Sequence, residues 1–240
     1  MPTSSEHQPF QFQPVAIVRS VFKEKFAVPR QSGLAPSAQA VIELLPPCNT
    51  TDYVEGLEQV SHIWLQFVFH QHLNTPARAK VRPPRLGGNQ KLGVFATRSP
   101  VRPNPIGLSV VTLQGIEQGP DGVQLRVTGV DLVDGTPVLD IKPYVPYADS
   151  IAGAENLVAP AEPPAMAVEF SELANTKIGA NAGLKSLLQE VLAQDPRPKY
   201  QAIDTERVFG ALIDNYNVTW RYCLEEGQGE FIEVLDLQQR

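Results

Sequence analysis

Seven short apolar segments, each closed off by turn residues, fill the first two-thirds of the chain. They cover residues 15–19, 40–45, 63–69, 92–96, 108–115, 123–130 and 138–144. Each is rich in Val, Ile, Leu and Phe and is bounded by Gly, Pro, Asn or Asp, the pattern of strands separated by turns. Only residues 51–60 read as a short helix in this part. Many strands with few helices imply a mainly β protein, a barrel or a sandwich. No Gly-x-Gly-x-x-Gly follows a strand and no Walker-type loop is present, which argues against a doubly wound nucleotide fold.

The composition changes after Tyr147. Residues 149–164 are rich in Ala, Glu and Pro and read as a linker. Beyond them Leu184, Leu187, Leu188, Val191 and Leu192 recur at helical spacing and predict one amphipathic helix. Residues 208–213, 218–224 and 231–237 then read as strands, with Val218, Trp220 and Tyr222 on one face. Two domains are therefore expected, a strand-rich one over residues 1–150 and a small α+β one over residues 165–240.

An apolar content of 42% supports a real core, and the longest apolar run, residues 63–69, falls far short of a membrane span. Residues 1–13 are polar and read as a loose terminus rather than a signal peptide. Cys48 and Cys223 stand far apart without cysteine neighbours, as in a reduced, cytoplasmic protein. The net charge of −6 argues against indiscriminate nucleic-acid binding. That average conceals a basic stretch. Arg78, Lys80, Arg82, Arg85, Lys91, Arg98 and Arg102 fall within residues 78–102, which hold no Asp or Glu. A solvated face would mix signs, so an anion-binding surface is favoured, with phosphate its natural ligand.

Inside that stretch lies GVFATRSPVRPNPIG, residues 93–107. Pro100, Pro103 and Pro105 stiffen the backbone and exclude it from a sheet interior. Arg98, Arg102 and Asn104 project from it, and a rigid backbone reduces the entropy lost when such side chains grip a ligand. The guanidinium fork suits carboxylate or phosphate oxygens. AVPRQSG, residues 27–33, is a second proline-stiffened loop, carrying Arg30 and Gln31. A third segment, residues 131–149, alternates carboxylates with strand residues, and its Asp134-Gly135 pair suits a turn.

Other chemistries fit poorly. His70 and His72 would share one face of a strand, yet no neighbouring carboxylate completes a ligand set, so no metal is expected. No Gly-x-Ser-x-Gly elbow marks a serine hydrolase, and Cys48 has no identified histidine partner.

GVFATRSPVRPNPIG closely resembles the signature of the TsaA-like family, also called the TrmO family. The resemblance extends, in order, to KEKFAVPRQSGL, LEQVSHIWLQFVFHQ, VRPPRLGGN and DLVDGTPVLDIKPYVPYAD, and to VLAQDPRPKY in the second domain. It implies a non-Rossmann β-barrel that binds S-adenosylmethionine, a homodimer, and methylation of N6 of N6-threonylcarbamoyladenosine beside the anticodon of tRNA. By the same resemblance the cofactor contacts Pro29, Arg30, Gln31, His70, Gln71, Arg98, Leu108 and the stretch Val130, Asp131, Leu132, Val133 and Asp134. Removing the N6 proton calls for a base, and Asp140 and Tyr144, at a polar strand end, are the candidates, with a structural salt bridge of Asp140 to Lys142 or an arginine as the competing reading. Arg82, Arg85, Arg102 and Asn104 are expected on the RNA side, with Arg197 and Lys199 of the second domain helping to hold the tRNA. The rival readings are a non-catalytic RNA- or nucleotide-binding barrel and a metal-dependent hydrolase on His70 and His72; a DNA-binding regulator is weaker, for want of a reading helix.

Overall fold

The computed structural model describes residues 9–83, 90–197, 201–227 and 229–240. Six strands close into a barrel in the order β1-β2-β7-β6-β3-β8: β1 is Ala16–Ser20, β2 Gln39–Leu44, β3 His62–Val68, β6 Ile106–Gly119, β7 Gly122–Thr128 and β8 Pro137–Pro143. Neighbouring strands all run antiparallel. Period-two alternation turns Val18, Ile42, Ile63, Leu65, Leu125 and Val127 inward, and all are buried. Closure leaves no free edge, which suits a barrel built from short strands.

Gly107 of β6 lies directly opposite Phe67 of β3. A Cβ at Gly107 would overlap the Phe67 ring, so glycine makes room for an aromatic side chain in the barrel wall.

The basic stretch takes a different form from the strand expected over residues 92–96. Only Leu92–Gly93 (β5) pairs, and it pairs with Lys80–Val81 (β4) in a two-stranded ribbon outside the barrel. Val94–Ala96 is a 3-10 turn, because the apolar run is too short and too close to the prolines to continue a ladder. Residues 51–60 are likewise two 3-10 turns, Thr51–Tyr53 and Leu57–Gln59, rather than one helix. His70–His72 forms a third such turn after β3, so the two histidines do not sit on a strand.

A short helix α1, Pro146–Asp149, follows β8. After it the C-terminal part is a four-stranded sheet, β10-β11-β12-β9, with β10 Val208–Ile213, β11 Tyr216–Glu225, β12 Gly229–Gln239 and β9 Ala167–Phe170. Helix α2, Glu172–Ile178, and helix α3, Ala182–Ala193, complete it. Asn181 caps α3 by accepting from the Leu184 amide at 3.0 Å, and the five apolar residues read from the spacing are all buried. β9 and α2 were not expected from the sequence; β9 is a four-residue strand held by parallel pairing to β12.

The two parts are joined by direct contacts. Ser37 donates through its amide and hydroxyl to the Glu190 carboxylate of α3 at 2.7 and 2.8 Å. The Leu212 amide donates to Glu24 Oε1 at 2.9 Å, and Phe26 stacks on buried Trp220 with ring centroids 5.8 Å apart. Aromatic stacking adds to the area buried at such a seam.

Candidate cofactor and nucleic-acid cleft

A cleft of about 1710 Å³ opens beside the barrel where the proline-stiffened loops meet. Its walls bring together Pro29, Arg30 and Gln31, the His70-Gln71 turn, Arg98, and Leu108 of β6. Asp131, Leu132 and Val133 complete the inner side. Arg82, Arg102 and Asn104 line the same cleft, as do residues 155–163 of the segment read as a linker. Thirteen residues singled out from separate stretches of sequence thus share one cavity.

Arg98 is one of its lining cations. The exposed guanidinium donates through Nη1 to Gln31 Oε1 at 2.5 Å, and Gln31 Nε2 donates to the Arg30 carbonyl at 2.5 Å. Arg30 itself reaches into the C-terminal part, donating to the carbonyls of Asp195 and Arg197 at 3.5 and 3.3 Å. These bonds orient one planar fork on the cleft wall without neutralising its charge.

Asp131 is the counterpart. Its Oδ1 is buried and meets no hydrogen-bond donor of the protein. Loss of water around the carboxylate pushes its pKa up to about 6, opposed by a hydrogen bond from Ser109 and by the nearby charge of Arg98. Ser109, buried on β6, was not singled out from the sequence; its inward position opposite Leu65 follows only from the strand pairing. Burial likewise lowers the pKa values of His70 and His72, with Lys25 adding to the effect, so both imidazoles favour the neutral form. Among the described residues no group of three or more His, Cys, Asp or Glu could hold a metal ion.

Several expected site residues lie elsewhere. Val130 is buried in the core, and Asp134 accepts from the Ser20 amide at 2.9 Å and pairs with Lys23 at 3.3 Å, so it ties the β1 end to the loop before β8. Asp140 and Tyr144 are not part of the cleft lining. Asp140 is paired with Lys142 at 2.5 Å, and Tyr144 packs beside Trp64 and His62 at 5.8 and 6.3 Å. Arg197, expected to help hold the tRNA, is drawn into the C-terminal part. It is buried, its Nε lies 3.1 Å from Asp195 Oδ1, and its guanidinium sits 5.2 Å over the Tyr222 ring. Arg85 and Lys199 lie outside the described residues.

Comparison with known proteins identifies the family of this chain. The family described as tRNA-methyltransferase O N-terminal domain matches residues 17–150, and the TrmO C-terminal domain matches residues 163–240. A Pseudomonas aeruginosa protein provisionally named an S-adenosylmethionine-dependent methyltransferase, RcsF, is 51% identical over 93% of this chain and 96% of its own. The Escherichia coli tRNA (adenine(37)-N6)-methyltransferase is 47% identical over 88% of this chain and 93% of its own. A crystal structure of TrmO from Pseudomonas aeruginosa superposes with a TM-score of 0.81 at 43% identity, covering 99% of this chain and 100% of that one. With both halves matched in order, and the barrel and cleft in place, the chain belongs to the tRNA-methyltransferase O (TrmO) family.

Proposed function

We propose that the protein is an S-adenosylmethionine-dependent methyltransferase acting on N6 of adenosine 37 of tRNA, the activity named for its relatives. In this reading the acceptor is the threonylcarbamoylated form of that base, and the enzyme works as a homodimer. The observation that carries it is the placement of the Arg98–Gln31 clamp, Asp131 and the cations Arg82 and Arg102 in one cleft.

The residues present fit the cofactor. A buried carboxylate oxygen without a protein donor, Asp131 Oδ1, suits a positively charged ligand, and the held fork of Arg98 suits a carboxylate. When bound, S-adenosylmethionine supplies an activated methyl group on a cationic sulfur. Arg98, oriented by Gln31, would grip its carboxylate, Asp131 would balance its positive charge, and Leu108 with Phe67 would line an apolar slot for its adenine. Arg82 and Arg102 hold RNA phosphates and the threonyl carboxylate. Delocalisation into the attached carbonyl makes N6 a weak nucleophile, so much of the catalysis lies in positioning it.

The homodimer has a surface available on the outer side of β3 and β8. Trp64 and Tyr144 are half-buried there, Trp64 Nε1 donates to Asp149 Oδ2 of α1, and Tyr147 of α1 and Ile151 just after it are exposed. Asp140 and Tyr144 open onto this surface rather than the cleft, so no proton transfer is assigned to them within one chain.

The test uses radiolabelled S-adenosylmethionine with tRNA from cells that make or lack threonylcarbamoyladenosine. Label should enter only the first tRNA. Equal labelling of both would remove the threonylcarbamoyl requirement, and no labelling of either would favour the non-catalytic barrel.

A further inference from the structure

Phe95 is the most conspicuous side chain of the cleft that neither cofactor binding nor charge explains. It is 80% exposed, yet it lines the same cavity as Arg82, Arg98 and Arg102. Isolated surface aromatics are common. This one is held in place. Val94, 3% exposed, anchors the turn from beneath, and its amide donates to the Ala79 carbonyl at 3.0 Å. The Val94 carbonyl accepts from the Thr97 amide and hydroxyl at 3.1 and 2.8 Å, and Arg102 Nη1 donates to the Thr97 carbonyl at 3.4 Å. A 3-10 turn pinned at both ends therefore holds its middle residue outward on a rigid backbone.

We infer that Phe95 is a stacking platform for a nucleobase of the RNA substrate, either the target adenine or its neighbour. The inference deepens the proposed function and rests on it. An aromatic face among phosphate-binding cations is how proteins grip unpaired bases, because every base offers a π-face to stack on. The surroundings favour RNA over an apolar protein surface. Arg98 and Arg102 share the Phe95 segment, which carries no carboxylate; the acidic residues of the cleft, Asp131, Glu155 and Glu162, come from other stretches. Rigid presentation also avoids the entropy loss of ordering a loose side chain on binding.

The test compares Phe95→Ala, Phe95→Leu and Phe95→Trp for affinity toward tRNA carrying threonylcarbamoyladenosine, measured without cofactor. Stacking predicts about tenfold or greater weakening for Phe95→Ala. Phe95→Leu keeps apolar bulk without the π-face and should weaken binding nearly as much, whereas Phe95→Trp should stay within about threefold of wild type. Cofactor affinity by calorimetry and melting temperature should be unchanged in all three, because the side chain is exposed. Wild-type tRNA affinity in Phe95→Ala, or full affinity in Phe95→Leu, overturns the inference while leaving the methyltransferase reading intact. Wild-type protein that neither binds tRNA nor transfers a methyl group overturns both.

Discussion

Arg98 Nη1 donates to Gln31 Oε1 at 2.5 Å, joining two loops that are 67 residues apart in the chain. Gln31 passes the connection to the Arg30 carbonyl, and Arg30 to the backbone of Asp195 and Arg197. The Arg98–Gln31 pair is thus continuous, by hydrogen bonds, with the C-terminal part.

Replacing Arg98 by Lys keeps the charge and removes the planar fork. Affinity for S-adenosylmethionine should fall about tenfold or more, since two charge-assisted bonds become one. Gln31→Ala should weaken binding less, by freeing the guanidinium to wander. Calorimetry with each variant checks this, and unchanged affinity in Arg98→Lys would exclude the clamp.

Asp131 makes the cleft pH-sensitive. Its pKa in the fold, about 6, lies above the ordinary 3.8, so ionising it costs the unliganded protein stability. That cost is absent below about pH 3, grows as pH rises from there toward 6 and is complete above it, at about 3 kcal/mol from two pKa units. Asp131→Asn should therefore melt higher than wild type above pH 6 and match it only below about pH 3. A cationic ligand favours the ionised form, so wild-type cofactor affinity should rise with pH between about 5 and 7. In Asp131→Asn that rise should vanish and affinity should fall; a pH profile identical to wild type would contradict the role.

Gly107→Ala tests the barrel wall. The added methyl meets the Phe67 ring, itself packed edge-on against Phe69 with centroids 5.1 Å apart. Destabilisation of about 1–3 kcal/mol is expected from overpacking, read as a melting point lower by several degrees. Phe67→Leu in the same chain should recover part of the loss, because the two sites share one volume.

Tyr222 and Asp195 support the loop that holds Arg30. The Tyr222 hydroxyl donates to Asp195 Oδ1 at 2.9 Å, and burial together with that carboxylate pushes the phenol pKa up. Tyr222→Phe should cost about 1–3 kcal/mol in denaturant unfolding, and Asp195→Ala about 3–5 kcal/mol, because it strands buried Arg197. Both should also weaken cofactor binding through Arg30, more than a surface change of equal stability cost. Normal cofactor affinity in a folded Tyr222→Phe protein would break that link.

What could be read from the sequence follows the range of the forces involved. Helix α3 was legible because five apolar residues at helical spacing have one solution, and the barrel strands because each is a short apolar run closed by turn residues. Residues 92–96 misled because a five-residue apolar run fits a strand and a 3-10 turn alike. Arg197 was not legible as buried, for a different reason. Its partner Tyr222 comes from β11, so its burial depends on contacts that no local pattern records. Arg98 and Gln31 were legible as residues but not as a bonded pair. The raised pKa of Asp131 depends on burial against Ser109, a residue whose facing is set by strand register.

The most direct test of the central claim is nucleoside mass spectrometry of tRNA after incubation with the protein and S-adenosylmethionine. The account predicts one added methyl on threonylcarbamoyladenosine, abolished or sharply reduced by Arg98→Ala in a protein that still folds. Methyl transfer to a different nucleoside, or none to any, would contradict it.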